Sequence, residues 1–207
     1  MGLRPGALPI LTGRASDELV DRIERTDPLH LVEHDLFAEY SPSDDPEQWL
    51  ERIEEMLRRR IAELAPAHPD RISTAFELAG FSDPNMVLSD FAELQGISLR
   101  KLERMVKRDF GLTPKQVLRR ARALDIAAQI CGVADDAEAD ELVLRYFDQS
   151  HLIREFAAFF GTTPSAFRAS PRPLMTLNVE IRQARRLEEL DRLRPGQTRP
   201  WFHGDDS

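Results

Sequence analysis

The chain has 207 residues, a formal net charge of −8 and 42% hydrophobic residues, which is enough for a core in one domain or in two small ones. Its single cysteine excludes a disulfide within the chain, and neither a run of about 18 apolar residues, as a membrane span requires, nor a secretory signal is present. Apolar residues mostly recur at spacings of three and four, and runs of Val, Ile, Thr and Tyr are absent. We therefore predict a cytoplasmic, mainly α-helical protein.

The first forty residues carry weak structural signals. Residues 1–14 hold three of the ten glycines and two prolines, which predicts extended chain or one or two short strands. Ser16 can cap a short helix with an apolar stripe that includes Leu19 and Ile23, and residues 30–40 can form another short helix.

Three residues within this second short helix, His30, Glu33 and His34, match the pattern H-x-x-E-H. Two imidazoles one helical turn apart can bind zinc, with the glutamate between them as a base. So short a pattern often arises by chance, and no later glutamate is marked as a third ligand. We therefore expect two surface histidines here, no metal or other cofactor, and no enzymatic activity.

A stronger signal begins at Asp45, which can cap a helix that has Pro46 at its first position. Apolar residues recur along one face of this helix as far as Leu64. The segment APAHPD then interrupts the pattern. It predicts a boundary between a mostly helical, acidic N-terminal domain, residues 1–68, and a second helical domain, residues 69–170.

Two short helices, predicted over residues 72–78 and 86–95 and separated by the turn FSDPN, open the second domain. A basic helix follows them. Gly96 can take a positive φ in the tight turn before this helix, Ser98 is its predicted N-cap, and Gly111 ends it.

The basic helix is amphipathic. Four residues form its apolar face: Leu99, Leu102, Val106 and Phe110. From Ser98 to Arg122 there are nine Lys or Arg against two acidic residues, a net of +7 in an acidic chain. Such a run is commonly a solvated face, but its position after a short helix and a glycine turn is typical of a helix-turn-helix recognition helix. The overall negative charge favours one localised nucleic-acid-binding face over general coating.

The plan of this unit is repeated about 50 residues later, which indicates an internal duplication. Each copy has a capped helix, the pair Phe-Gly, a spacer, the pair Thr-Pro and a further helix. A long helix over residues 114–131 joins the copies, followed by an acidic helix over residues 137–144, a helix over residues 151–160 and a short helix from Pro164. Two such units at a fixed separation can enter successive segments of the major groove.

Three stretches carry a family resemblance: GISLRKLERMVKRDFGLTPK, ARALDIAAQI in the joining helix, and YFDQSHLIREFAAFFGTTPSAFR. Residues 70–170 resemble the DNA-binding domain of the AraC/XylS class of bacterial transcription regulators. The resemblance implies two helix-turn-helix subdomains of homeodomain-like fold joined by a long helix, and a transcription activator whose partner is double-stranded DNA. RNA polymerase is a further candidate partner, and the sequence identifies no small-molecule effector.

The resemblance also implies which residues contact DNA. In the first recognition helix the base-contacting residues are Arg100, Glu103 and Arg104. In the second they are Gln149, Ser150 and Arg154. The implied phosphate contacts are Lys107, Arg108 and the caps Ser98 and Thr113, and Lys101 flanks them within the same DNA-binding set.

The chain departs from the family pattern in two places. Arg145 stands near an expected glycine, and Ala157 and Ala158 occupy positions where Lys or Arg is common, so we expect the second unit to be loosely docked and poor in charge. Residues 1–68 would be a remnant of the β-rich effector domain that usually comes first. These departures leave an alternative open, in which a degenerate relative binds another protein without specific DNA binding.

Residues 171–207 lie beyond the resemblance and contain one more amphipathic helix. Its apolar residues recur every three or four positions from Leu177 to Leu190, and the helix ends before Pro195. An isolated helix of about 17 residues is marginal in water, so this stripe needs a partner. Two partners remain open: the chain's own helices, including the helix that ends at Leu64, and the same helix of a second subunit in a homodimer.

Overall fold

The computed structural model describes residues 4–22, 43, 45–64, 68–134, 149–169, 173–194, 197 and 199–201. Within these residues every regular element is helical and no strand occurs, so the prediction of a mainly α-helical fold is confirmed. None of the described helices is long and apolar enough to cross a membrane.

The described part of the chain contains nine α-helices. They are α1 (Ala7–Thr12), α2 (Pro46–Leu64), α3 (Arg71–Ser82), α4 (Leu88–Leu94), α5 (Leu99–Phe110), α6 (Pro114–Ile130), α7 (Gln149–Phe160), α8 (Pro164–Ala169) and α9 (Pro173–Glu189). A 3-10 turn, Ser16–Glu18, lies between α1 and α2.

Most helix starts follow the predicted local signals. At α2 the N–H of Glu47 donates to Asp45 Oδ1 at 3.0 Å, as an N-cap requires. Helix α3 continues past its predicted end at residue 78 to Ser82, so the predicted turn begins later. Phe81 in the added turn is buried, which gives the extra residues a reason to remain helical.

Two N-terminal predictions are wrong. Residues 7–12 are helix α1 rather than extended chain or strands, because Pro9 lies in the first turn, where its missing N–H costs no helical hydrogen bond, and Leu11 is buried. The helix predicted from Ser16 is only a 3-10 turn, and Asp21 soon afterwards takes a left-handed φ of 57°.

Several predicted features lie outside the described residues. They are the helix over residues 30–40 with the motif His30, Glu33 and His34, the acidic helix over residues 137–144, and the turn that contains Arg145.

The chain divides into two compact units. Unit 1 comprises Met1–Glu77 and Leu88–Pro114, and unit 2 comprises Leu78–Val87 and Lys115–Ser207. Unit 1 therefore holds α4 and α5 together with the N-terminal elements, and unit 2 holds α7 and α8 together with α9. Each unit therefore combines one helix-turn-helix repeat with a flanking piece of chain: the N-terminal elements in unit 1 and α9 in unit 2.

The core of unit 1 surrounds Phe76, which is fully buried. Its ring meets Phe91 edge-on at a centroid distance of 5.3 Å and Phe110 at 5.7 Å. Helix α5 adds the buried side chains of Leu102 and Val106. These contacts fix α5 against α3 and α4.

Unit 2 has an apolar core of its own, in which Phe156 of α7 is fully buried and stacks edge-on with Phe167 of α8 at 5.3 Å. Helix α6 contributes Ile126, and α9 contributes Val179. Trp201 packs against the same cluster.

Helix α9 packs onto its own chain. Arg182 pairs with Asp125 of α6, with 2.8 Å between Nη1 and Oδ1, and the Arg186 side chain donates to the carbonyl oxygen of Phe81 at 2.9 Å. Leu187 is fully buried. The sequence left the partner of this helix open; in the structure its contacts within unit 2 include α6 and the end of α3.

Candidate nucleic-acid interface

The predicted recognition helix, α5, begins and ends as its sequence predicts. Ser98 has extended dihedral angles, φ −76° and ψ 152°, and its side chain accepts the N–H of Lys101 at 3.2 Å. Gly111 takes φ 74° and donates its N–H to the carbonyl oxygen of Lys107 at 2.9 Å. Gly96, in the turn before α5, takes φ 64°, a conformation that favours glycine.

Burial divides α5 into two faces. Leu102, Met105 and Val106 are buried, whereas the predicted apolar residue Leu99 is 52% exposed. Leu99 lies in the first turn, where the core of unit 1 does not cover it, and Met105 replaces it on the buried face. The opposite face carries three exposed charged residues: Arg100, Glu103 and Arg104.

The predicted base-contacting arginines of unit 1, Arg100 and Arg104, have guanidinium groups that are available to a ligand. Among the described residues, the side chains of Arg100 and Arg104 form no hydrogen bond or ion pair. They lie four residues apart and so stand one helical turn apart on the same face. Glu103 lies beside them and pairs with Lys107 at 3.2 Å between Oε1 and Nζ.

Arg108, a predicted phosphate contact, is already bound within unit 1. Its Nε and Nη2 atoms donate to the Asp109 carboxylate at 2.6 and 2.7 Å, and Asp70 Oδ2 lies 3.6 Å from Nη2. The hydrogen bond that Arg108 donates to Asp109, together with the negative charges of Asp109 and Asp70, raises the pKa of Arg108 despite its partial burial. Asp109 is itself buried and accepts a hydrogen bond from Ser73.

The remaining predicted phosphate contacts lie close to helix starts. Lys101 is exposed in the first turn of α5, near the N-cap Ser98. Thr113 is half-buried and immediately precedes Pro114, the first residue of α6. The N-terminal end of a helix favours anions, so both positions suit a phosphate.

The second predicted recognition helix, α7, carries fewer charged residues than α5. Gln149 and Ser150 are its first two residues, but their side chains lie outside the described part of the structure. Arg154 is exposed, and among the described residues its side chain makes no hydrogen bond or ion pair. The next residue, Glu155, is buried.

Glu155 is a positioning residue that was not recognised in the sequence. Its Oε1 accepts hydrogen bonds from Arg119 Nε at 3.0 Å and Arg122 Nη2 at 2.7 Å, and its Oε2 accepts one from Arg122 Nε at 2.9 Å. Arg122 also donates to the carbonyl oxygen of Pro84 at 2.9 Å. The network ties α7 to α6 and to the turn after α3.

A sequence signal for this network did exist. Glu155 follows Leu152 by three residues and precedes Phe159 by four, so it lies on an apolar side of α7, and a carboxylate buried there needs a partner. Arg119 and Arg122 are three residues apart and therefore share one face of α6. Local spacing cannot show that these two faces meet.

A short scaffold helix, a glycine turn and an exposed, capped recognition helix define a helix-turn-helix domain. A family model described as a helix-turn-helix domain matches residues 91–170 and supports the AraC-type domain indicated by the sequence. No curated protein and no solved structure matches the chain. Residues 91–170, less than half of the chain, are thus similar to a class of domain that typically binds DNA.

Proposed function

We propose that this protein is a sequence-specific, DNA-binding transcription regulator of AraC type in which α5 and α7 are the recognition helices. The observation that carries this proposal is the exposed face of α5. Arg100 and Arg104 stand one turn apart there with no intramolecular partner among the described residues. A helix with two free guanidinium groups on one face suits the major groove.

Each charged residue of α5 has a proposed role. Arg100 and Arg104 donate to guanine O6 and N7, the commonest specific contact of arginine with DNA. Lys107 leaves Glu103 and binds a phosphate oxygen instead. The freed Glu103 carboxylate then accepts a hydrogen bond from cytosine N4. Lys101 holds a phosphate near the helix start, and Arg108 shares its guanidinium between a phosphate and Asp109.

The second unit makes the smaller contribution in this proposal. Gln149 and Ser150 lie at the start of α7, the part of a recognition helix that approaches base edges, and Arg154 follows about one turn later. Ser98 and Thr113 complete the phosphate contacts. A regulator of this kind would act on RNA polymerase bound nearby, which makes the polymerase a proposed partner.

A selection from a random-sequence DNA library, followed by binding titrations at two salt concentrations, tests the proposal. Arg104→Ala should weaken binding to the selected site by about 1–3 kcal/mol and relax the preference at one base pair. Arg59→Ala is a matched control, because Arg59 is an exposed arginine of α2 outside the proposed interface. Equal weakening on all sequences would instead make Arg104 a phosphate contact, and failure to select any site would reject the proposal.

A second candidate function is binding of another protein by a degenerate relative of the same fold. Leu94 is 81% exposed and Leu99 is 52% exposed, on either side of the Gly96 turn. Exposed apolar residues in such a position suit a protein surface as well as thymine methyl groups. If this candidate is correct, the selection described above should yield no DNA site, because the exposed surface is then used for a partner protein.

A further inference from the structure

The N-terminal segment, Arg4 to Arg22, is attached to the C-terminal end of α5. The N–H of Gly6 donates to the carbonyl oxygen of Asp109 at 3.3 Å, and the Ser16 hydroxyl donates to the same oxygen at 3.1 Å. The last carbonyl groups of an α-helix have no partners within the helix. The segment therefore supplies bonds that α5 cannot make for itself.

Gly111 allows the 3-10 turn to approach α5 closely. A Cβ atom at this position would lie 2.6 Å from the Val20 side chain and 3.1 Å from the carbonyl oxygen of Ser16. Because the first distance is shorter than real Cβ contacts, the second is tight and the φ of 74° is strained for other residues, glycine at this position favours the close approach. The 3-10 turn is thus held beside the recognition helix.

A groove of about 530 Å³ lies between the 3-10 turn and α5. Its acidic side carries Asp17, Glu18 and Asp70. Its basic side carries Lys101, Arg104, Lys107 and Arg108. Opposite charges therefore face one another along the flank of the helix that we propose to contact DNA.

The charged side chains around this groove are unequally neutralised. Four have partners that are visible in the structure: Glu18, Asp70, Lys107 and Arg108. Three others have none among the described residues: Asp17, Lys101 and Arg104. Across the groove, the Asp17 carboxylate thus faces Lys101 and Arg104. Within the described part of the chain, Asp17 forms no ion pair with either of them.

A phosphate of the DNA backbone is the anion that this basic side would meet when α5 enters the major groove. The carboxylates across the groove repel that phosphate and weaken the local positive potential. We propose that the acidic 3-10 turn competes with a DNA phosphate for Lys101 and Arg104 and so lowers the DNA affinity of unit 1. This rests on the proposed function, since it requires that α5 binds DNA.

The double variant Asp17→Asn/Glu18→Gln tests the competition in the full chain with the selected DNA. Removing both charges should tighten binding about 3- to 10-fold at low salt, because an opposing field near the phosphate is lost. If one phosphate contact is gained, the slope of log K against log salt should steepen by about 0.9. Glu47→Gln/Glu51→Gln makes the same charge change on α2 and should have a much smaller effect.

A double-mutant cycle with Lys101→Gln tests which cation is involved. If the turn acts through Lys101, the affinity gained by Asp17→Asn/Glu18→Gln should shrink in a Lys101→Gln background, because the two effects then share a partner. Melting temperatures of all variants are measured in parallel. An affinity gain accompanied by an unchanged melting temperature places the effect in binding rather than in folding.

The possible results separate the two proposals. Unchanged affinity in Asp17→Asn/Glu18→Gln, with weakened binding in Arg104→Ala, would overturn the competition and leave the DNA-binding proposal standing. An equal gain from the α2 control would attribute the effect to net charge and also overturn it. If only the double variant binds DNA, both proposals are supported, and if neither form of the chain binds, both are rejected.

Discussion

The two units share a helix-turn-helix plan but use their arginines differently. In unit 1, Arg100 and Arg104 stand exposed on α5 without partners among the described residues. In unit 2, Arg122 binds the buried carboxylate of Glu155, and the buried Arg186 binds the carbonyl oxygen of Phe81. Among the described residues, unit 1 thus leaves these two arginines exposed, whereas unit 2 uses Arg122 and Arg186 to hold helices together.

The difference shows that a count of cations along a sequence does not locate a DNA-binding surface. The segment of net charge +7 from Ser98 to Arg122 includes Arg119 and Arg122, both of which pair with Glu155. An arginine that neutralises a buried carboxylate is a structural residue. The proposed DNA-binding surface is therefore narrower than the charge pattern indicates and lies mainly on α5.

The largest expected effect comes from removing α9, the flanking piece of unit 2. Truncation after Ala169 should lower the melting temperature strongly without changing the oligomeric state, because α9 packs on its own chain. The buried side chains of Val179 and Leu187 alone stabilise the fold by about 3–6 kcal/mol together. Thermal melting and light scattering measure the two quantities, and a dimer that becomes a folded monomer would favour pairing between subunits instead.

Two leucines of α9 provide a matched pair for the same question. Leu187 is fully buried and Leu177 is 50% exposed. Leu187→Ala should therefore cost about 2–5 kcal/mol and Leu177→Ala much less. Equal losses would mean that the exposed face of α9 is also covered, for example by a second copy of the chain.

The next largest effect should follow from breaking the arginine network of unit 2. Glu155→Ala should destabilise unit 2 by about 3 kcal/mol, since it leaves Arg122 largely buried without its carboxylate. The chain has two tryptophans, so a Trp49→Phe background leaves Trp201 as the fluorescence reporter of unit 2 in urea unfolding. Glu51→Ala, an exposed glutamate of α2, is the control, and an equally small loss in both variants would show that the network is not structural.

The smallest expected effect is the difference between the recognition helices in DNA binding. Arg100→Ala should cost more affinity than Arg154→Ala, by about 1 kcal/mol, because α5 presents two arginines, and α7 one, that have no partner in the described part of the chain. Titrations of both variants on the selected DNA measure this difference. Equal or reversed losses would show that α7 contacts its half of the site as strongly as α5 does.

The candidate site was predictable from the sequence only in part. The positions of Arg100, Glu103 and Arg104 on an exposed face follow from the helical period of α5, and the structure bears out that placement. The engagement of Arg108 by Asp70 and Asp109 was not predicted. Asp70 precedes α3 and lies far from Arg108 in sequence, so no local pattern joins them.

The sequence by itself determined where most helices begin and end. Ser98, Gly111, Pro114 and Pro164 mark helix boundaries in the structure because capping and proline geometry depend only on neighbouring residues. The repeated pattern and the spacing of three and four likewise established the mainly α-helical class. These are local properties of the backbone.

Only the tertiary structure decided which charges are free and what the flanking pieces cover. The bonds from Ser16 to Asp109, from Arg119 to Glu155 and from Arg186 to Phe81 span 93, 36 and 105 residues of chain. Such contacts form because buried polar groups must find partners wherever the fold brings one close. The periodicity of a single helix does not indicate which distant residues it will contact. The acidic turn beside α5 and the position of α9 could therefore be seen only in the tertiary structure.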